Sequence, residues 1–375
     1  IMRKYYKTLL ALIIGTTTMF AQENVTYQKP SKEILQLADF ERAPSVSMDS
    51  KKELMLLTYR NTYKNLNDLN QDELRLGGLR INPNTNISST ATFINNIKLK
   101  KVTDKQETQV KGLPVNANIS NLTWSPEKKK IAFTDTTNSG NELWVLDIKT
   151  ATATKLTDAV LNANLGNPIT WFKDNQNLMI KVLPENRKAL IDPAKDIPTG
   201  PIVSVSQAGT VSQNRTYQDL LKNKTDETNF ETLVTSELYK LDLNGKATLY
   251  KKADLYAGEG FSPDGNYVLI TTIKKPYSYI VPLSRFPMTS VVYDLSGKEV
   301  KVVNEIALAE IMPKGFMATR TGKRSMNWRA DLPATLSFAE ALDGGDPANA
   351  VEFRDEVFLW NAPFTSNPTS LAKTK

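Results

Sequence analysis

The side chains that enzymes most often use for acid-base and nucleophilic chemistry are scarce in this sequence. Its 375 residues contain no histidine and no cysteine. The first absence removes the commonest general base and transition-metal ligand, and the second removes thiolate metal sites, a cysteine nucleophile and disulfides. A Ser-His-Asp triad cannot be assembled from these residues. We therefore predict no catalytic residue, no cofactor and no metal site within them.

One serine stands in a setting that resembles a nucleophile. Ser262 lies in Gly260-Phe261-Ser262-Pro263-Asp264, which approaches the Gly-x-Ser-x-Gly motif of a strand-to-helix elbow. In that motif the residue after the serine donates its backbone N–H to the oxyanion, and Pro263 has no N–H to donate. Asp264 also replaces the last glycine. The segment is instead typical of a tight hairpin turn.

Two charged clusters could each be either a binding site or an ordinary part of the protein surface. Glu340, Asp343 and Asp346 flank Gly344-Gly345, but their spacing does not match a calcium loop, so a polar turn is favoured. The formal net charge is +7, and lysines cluster at residues 98–101 and 128–130. No nucleic-acid-binding motif accompanies these lysines, so we predict soluble strand edges and no nucleic-acid partner.

The elements around these residues follow a repeating pattern. An apolar or aromatic residue, two further residues and an acid precede a turn and then a β-rich run. The acid is suited to hydrogen-bond its own turn, and the aromatic residue to pack between neighbouring sheets. The pattern begins at five positions, which are Val46, Trp124, Trp171, Phe261 and Trp328.

A second pattern completes each unit. It consists of a strand, an Asp-x-x-Gly/Thr turn and another strand, as at Glu142–Asp147, Glu237–Asp242 and Ser290–Asp294. Together the two patterns form a four-stranded antiparallel unit, the blade of a β-propeller. The shortest interval, from Trp124 to Trp171, is near the length of one blade. The longer intervals require insertions or an unrecognised blade.

The predicted fold is therefore an all-β, incomplete β-propeller with about five to six four-stranded blades. Helical content is predicted to be low, since no alternation of strands with helices appears. Three segments have helical character, and these are Ser31–Phe40, Thr216–Phe230 and Ile306–Ile311.

The N-terminus carries the pattern of an export signal. Met2–Lys7 is basic, Thr8–Gly15 is apolar, and the small residue Ala21 suits cleavage. The apolar run is too short to span a bilayer, and no later run reaches about 18 apolar residues. We expect a signal peptide at residues 1–21, an N-terminal extension at 22–45, and the propeller at 46–375. The protein is expected to be exported, either periplasmic or secreted, without a membrane span.

Four stretches carry a resemblance to a known family. They are Leu74–Pro83, Arg215–Lys222, Val281–Pro287 and Asn327–Pro347. With them the chain resembles the N-terminal region of prolyl-oligopeptidase-type serine peptidases, most closely the glutamyl-endopeptidase-like branch. The resemblance implies a propeller followed by an α/β-hydrolase domain that carries the Ser-Asp-His triad. It further implies a peptide substrate, and that these 375 residues are a non-catalytic gate truncated before the hydrolase.

The same resemblance suggests where substrate is bound. In related peptidases, arginine or acidic residues on propeller loops contact substrate termini or side chains. Arg285 is the best candidate to meet an acidic side chain, and Arg80 and Arg329 are weaker ones. Cleavage after acidic residues by the full-length parent would follow. The plainer interpretation is that Arg285 is a structural loop residue.

Two other functions stay open at the level of the sequence. A free-standing periplasmic propeller that binds a protein or a glycan would carry the same repeats. A propeller glycosidase would need two carboxylates about 5–10 Å apart, which sequence spacing cannot show.

Overall fold

The computed structural model describes residues 29–195 and 216–375. The predicted signal peptide at residues 1–21, with cleavage near Ala21, lies outside the described residues. The chain divides into two compact units, Ile1–Arg42 and Ala43–Lys375. The described part of the first unit contains one helix, α1 (Lys32–Ala38), within the segment predicted to be helical.

Five four-stranded antiparallel sheets follow one another along the second unit, each with its strands in sequential order. This confirms an all-β propeller architecture with five blades among the described residues. The first blade comprises β1 (Ser45–Met48), β2 (Leu54–Tyr59), β6 (Asn96–Lys101) and β7 (Thr108–Gln109). The second blade comprises β8 (Ile119–Trp124), β9 (Lys130–Thr137), β10 (Gly140–Asp147) and β11 (Thr152–Lys155).

The other three blades repeat this order of strands. The third comprises β12 (Ile169–Trp171), β13 (Asn177–Val182), β14 (Ser236–Asp242) and β15 (Ala247–Asp254). The fourth comprises β16 (Tyr256–Phe261), β17 (Tyr267–Ile273), β18 (Met288–Asp294) and β19 (Glu299–Ile306). The fifth comprises β20 (Arg324–Trp328), β21 (Thr335–Ala341), β22 (Asp355–Asn361) and β23 (Thr369–Thr374).

Insertions account for the long intervals in the repeat. Between β2 and β6 lie a short helix, α2 (Leu66–Leu69), and a three-stranded sheet of β3 (Leu74–Leu76), β4 (Leu79–Asn82) and β5 (Ile87–Ser88). Between β13 and β14 lies α3 (Lys224–Val234), and between β17 and β18 lies a 3₁₀ turn (Leu283–Arg285).

The antiparallel order of the strands places the connections at two opposite ends of the propeller. Because neighbouring strands are antiparallel, the turns from first to second and from third to fourth strand meet at one end, called here the turn end. The connections from second to third strand, and from each blade to the next, meet at the other end, called here the loop end. All of the insertions just described lie at the loop end.

The hairpin at Ser262 shows how the repeated turns are closed. Ser262 is fully buried, and its Oγ donates to Asp264 Oδ1 at 2.6 Å and accepts from the backbone N–H of Tyr267 at 3.0 Å. Asp264 Oδ1 also accepts from the N–H of Asn266. The serine therefore closes a turn, as predicted.

Tryptophans of the repeat join adjacent blades. The indole N–H of Trp171 donates to the carbonyl of Thr123 in the preceding blade at 2.9 Å, and that of Trp328 donates to the carbonyl of Gly260 at 2.8 Å. Between the sheets, Phe172 packs against Phe261 with ring centroids 4.4 Å apart. Among the first residues of the repeat, Trp171 and Trp328 thus contribute a directed hydrogen bond across the blade interface, and Phe261 contributes apolar contact.

Two predicted helices differ from the structure. Ile306 ends β19 and no helix follows it, because the N–H of Ala309 is taken by the carbonyl of Arg285 at 3.0 Å. The helix predicted from Thr216 begins only at Lys224. Asp219 has a left-handed φ of 58°, and the side chain of Asn223 caps the helix by accepting from the N–H of Asp226. No helix within the described ranges is long and apolar enough to cross a membrane.

Replacing Trp171 with Phe tests the bond between blades. Trp171→Phe leaves the carbonyl of Thr123 without its indole donor, so we expect a loss of about 1–3 kcal/mol in the free energy of unfolding. Urea denaturation followed by circular dichroism measures the change. Trp124→Phe is the matched control, because the structure records no hydrogen bond for that indole. Equal losses in both variants would show that the hydrogen bond contributes nothing beyond ring size.

Candidate functional site

A second apolar core lies beneath the insertions of the loop end. Phe230 and Phe286 are fully buried in it, with ring centroids 6.0 Å apart. Their neighbours come from four separate connections, and include Leu76, Ile81, Leu165, Leu221 and Val281. This shared core fixes the insertions relative to one another, so the side chains they carry are placed together.

Two tyrosines fasten α3 to the loop that precedes β18. The Tyr277 hydroxyl donates to Glu231 at 2.8 Å, and the Tyr279 hydroxyl donates to Glu227 at 2.6 Å. The spacing matches because glutamates four apart on a helix lie on one face, as do residues two apart in an extended segment. Burial, together with the hydrogen bond to Glu231, raises the pKa of Tyr277 above its ordinary value.

The Gly77-Gly78 turn brings the insertion of the first blade against the same loop. The carbonyl of Gly77 accepts from the N–H of Leu283 at 2.8 Å, and the N–H of Gly78 donates to the carbonyl of Asp219 at 2.7 Å. Gly78 has a φ of 89°, and a Cβ there would lie 2.9 Å from Cβ of Pro282. Only glycine permits this contact, which joins three of the stretches that carry the family resemblance.

Arg80 and Arg329 are each neutralised by an aspartate. Arg80 Nε lies 2.8 Å from Asp219 Oδ2, and this hydrogen bond raises the pKa of Arg80. Arg329 pairs with Asp331 through two nitrogens, one of them Nε at 2.9 Å, in the hairpin between β20 and β21 at the turn end. Arg329 is therefore at the opposite end of the propeller from Arg80.

Arg285 differs from both, because it forms no ion pair with any described residue. Its guanidinium carbon lies 5.7 Å from the centre of the Tyr217 ring, and Nη1 makes one long hydrogen bond of 3.4 Å to the carbonyl of Ala309. The Tyr217 hydroxyl is buried and has no hydrogen-bond partner. A guanidinium without a counter-ion is suited to bind a carboxylate. Arg285 and Arg80 thus contact residues two apart in the chain, Tyr217 and Asp219.

Three of the five unpaired buried polar side-chain atoms among the described residues lie on loop-end connections. The five belong to Tyr217, Asn164 and Arg187 on loop-end connections, and to Glu259 and Arg324 on the first strands of the fourth and fifth blades. Burial raises the pKa of Glu259, although its other oxygen lies 3.2 Å from Lys181 Nζ. Of these five residues, the sequence pointed only to the neighbourhood of Tyr217. Whether a buried polar atom has a hydrogen-bond partner depends on segments that are distant in the sequence.

The loop end also exposes large apolar side chains. Phe316 is 96% exposed in the connection from β19 to β20, and Val115 is 91% exposed in the connection from β7 to β8. Others on loop-end connections are Tyr63, Leu66, Leu69, Ile280, Ile311 and Met317. At the turn end, the exposed large apolar residues within the described ranges are Val102 and Leu295. Exposed large apolar residues are therefore more numerous on the described loop-end connections than on the turn-end ones.

Comparison with known proteins identifies relatives of the whole propeller. The chain is 33% identical over 350 residues to "Probable glutamyl endopeptidase, chloroplastic" of Oryza sativa subsp. japonica, and equally to the protein of that name from Arabidopsis thaliana. These matches cover 90% of this chain but 37% and 36% of the relatives, so the chain spans little more than a third of their length. No protein-family model matches the chain. Acylaminoacyl peptidase from Pyrococcus horikoshii aligns with a TM-score of 0.44 and 13% identity, over 89% of this chain and 40% of that one.

The tyrosine-glutamate contacts allow a test of how the site is held. Tyr277→Phe keeps the ring but removes the donor to Glu231, so we expect a loss of about 1–3 kcal/mol in the free energy of unfolding. Tyr63→Phe is the control, since Tyr63 is 64% exposed and has no recorded hydrogen bond. Urea denaturation measures both variants. An unchanged midpoint for Tyr277→Phe would mean that α3 is held by apolar contact alone.

Proposed function

The chain belongs with the propeller parts of prolyl-oligopeptidase-type peptidases, and from that premise we propose that it admits and orients peptides for a separate catalytic domain. A Ser-His-Asp triad cannot form within its 375 residues, which contain no histidine, and Ser262 is a buried turn residue. The observation that carries the proposal is the loop end. There the insertions share one core, an unpaired arginine, and a set of exposed apolar side chains.

We propose that an α/β-hydrolase domain of the same polypeptide covers the loop end. The relatives are nearly three times as long as the matched region, which leaves room for such a domain. Phe316, Met317 and Ile311 are exposed by 96%, 62% and 80%, and a docked domain would remove them from water. Substrate reaching a catalytic centre there would pass the loop-end connections, which would select it.

The proposed substrate class follows from Arg285. Two relatives are named glutamyl endopeptidases, and an acidic side chain is the ligand that a guanidinium without a counter-ion would bind. The contrast with Arg80 and Arg329 supports this choice, because each of those already has an aspartate. The alternative, a free-standing propeller that binds a protein or a glycan, would use the same exposed face without a catalytic domain.

A serine-reactive probe separates these two functions. We expect a fluorophosphonate to leave the 375-residue chain unlabelled, because no activated serine is present. A polypeptide that joins this chain to the remainder of its reading frame should be labelled, at a serine outside these residues. A reading frame that stops at Lys375 would favour the free-standing propeller. Labelling of the chain itself would contradict the non-catalytic role.

Substituting Arg285 tests the substrate class. For Arg285→Gln we expect about a tenfold or greater loss of affinity for a peptide containing Glu, as for other broken charge-assisted hydrogen bonds. Affinity for the same peptide with Gln in place of Glu should change little. Fluorescence anisotropy on the 375-residue chain measures both affinities.

Arg329→Gln is the matched control, because it removes an arginine from the turn end. Equal losses for the acidic and the neutral peptide, or equal losses in the two variants, would contradict a carboxylate-binding role for Arg285.

A further inference from the structure

The C-terminal end of α3 is capped by side chains from the connection between β11 and β12 and from an earlier part of its own connection. The last carbonyls of a helix have no partner within it and must be satisfied from outside. The amide of Asn164 donates to the carbonyl of Leu233 at 2.8 Å, and that of Asn162 donates to the same carbonyl at 2.9 Å. Arg187 Nε donates to the carbonyl of Thr232 at 3.0 Å. The helix end therefore fixes which way Asn164 and Arg187 face.

Asn86 holds the same two side chains from the opposite side. Its Oδ1 accepts from Arg187 Nη1 at 2.7 Å and lies 3.5 Å from Asn164 Nδ2. Asn86 is itself fixed, since its carbonyl accepts from the N–H of Ala163 at 2.9 Å and from the amide of Asn141 at 3.1 Å. Insertions of the first and third blades and the connection between β11 and β12 meet at this asparagine.

One donor and one acceptor are left over from this arrangement. Arg187 Nη2 and Asn164 Oδ1 are buried, and neither has a hydrogen-bond partner. They do not satisfy each other. The Asn164 amide cannot rotate to give Oδ1 a donor without breaking the hydrogen bond from Nδ2 to the carbonyl of Leu233. Asn164 Oδ1 therefore stays unpaired. A buried polar atom without a partner destabilises the fold by about 1–3 kcal/mol, which a ligand offering one acceptor and one donor would recover.

The local charge selects the kind of ligand. A carboxylate would offer no donor to Asn164 Oδ1, and it would face the negative end of the α3 dipole. An ammonium would offer no acceptor to Arg187 and would be repelled by it. A neutral amide offers both, with its C=O toward Arg187 and its N–H toward Asn164.

We propose that Arg187 and Asn164, held by Asn86 and the end of α3, form a subsite for one peptide group of a bound polypeptide. The proposal rests on the peptide-binding function proposed above. It adds a site that binds main chain rather than charge, separate from the Arg285–Tyr217 pair.

The segment that carries Arg187 controls how a peptide could reach the two unpaired atoms. Glu185, Asn186 and Lys188 are exposed, and the segment is tied down beyond them by two hydrogen bonds between Ile191 and Asn229, of 2.8 and 2.9 Å. Since the two unpaired atoms are covered, a peptide reaches them when the exposed residues on either side of Arg187 move outward while Arg187 keeps its hydrogen bonds to Asn86 and Thr232. That movement lowers the affinity, so binding in the micromolar to millimolar range is expected.

Two labelled peptides test the subsite on the 375-residue chain. One is an uncharged capped peptide, acetyl-Ala-Ser-Gln-Ala-amide, and the other has Glu in place of Gln. For Arg187→Lys, which keeps the charge but loses the second Nη, we expect about fivefold or greater weakening of both peptides. Asn164→Leu should weaken both in the same way. Arg329→Lys, at the turn end, is the control, and urea denaturation confirms that each variant is folded.

The outcomes separate this subsite from the broader proposal. If folded Arg187→Lys and Asn164→Leu bind the uncharged peptide as the wild type does, the gap holds a water molecule only and the subsite is wrong. If the wild-type chain binds neither peptide, the peptide-binding function itself fails. Equal weakening of both peptides here, against selective loss of the acidic peptide in Arg285→Gln, supports two distinct subsites.

Discussion

The antiparallel order of four strands in every blade is the constraint on which the remaining structure depends. It divides the connections between two ends, because the chain returns to the same end after every second strand, and the long connections of the described residues all lie at the loop end. The turn end is left with short hairpins whose acids satisfy their own backbone, as Asp264 does. The loop end can therefore accumulate insertions without disturbing the ladders. Interblade bonds such as Trp171 to Thr123 keep that division rigid.

Local chemistry made the blades predictable. A turn such as Ser262-Pro263-Asp264-Gly265 is decided within five residues, and the apolar run after it is decided by burial on both faces of a sheet. The insertions were not predictable in this way. The strands β3 to β5 are two to four residues long, which is too short for a periodic signal. The helix predicted from Thr216 began late because Gly78 donates to the carbonyl of Asp219, a contact between distant segments.

The candidate arginines show the same limit. Arg285, Arg80 and Arg329 were indistinguishable as residue types, and only their counter-ions separate them. The partner of Arg329 is two residues away and was visible in the sequence, whereas the partner of Arg80 is 139 residues away. That Arg285 lacks a counter-ion among the described residues is a property of the assembled loop end. The sequence could predict an arginine on a loop, but its availability for a ligand required the fold.

Within the described ranges, no buried side-chain atom that lacks a hydrogen bond belongs to a turn-end hairpin. All five buried side-chain atoms that lack a hydrogen bond within the described ranges belong to loop-end connections or to the first strands of blades. Native structures rarely leave such atoms unpaired, because each is costly, and exceptions collect where a ligand completes the bonding. The shared apolar core that includes Phe230 and Phe286 stabilises the loop end and offsets the free energy lost at these unpaired atoms. A carboxylate beside Arg285 and a peptide group beside Arg187 would each satisfy atoms that the fold itself has left unpaired. The proposed peptide-binding function thus falls to the end of the propeller whose described connections carry Tyr217, Asn164 and Arg187.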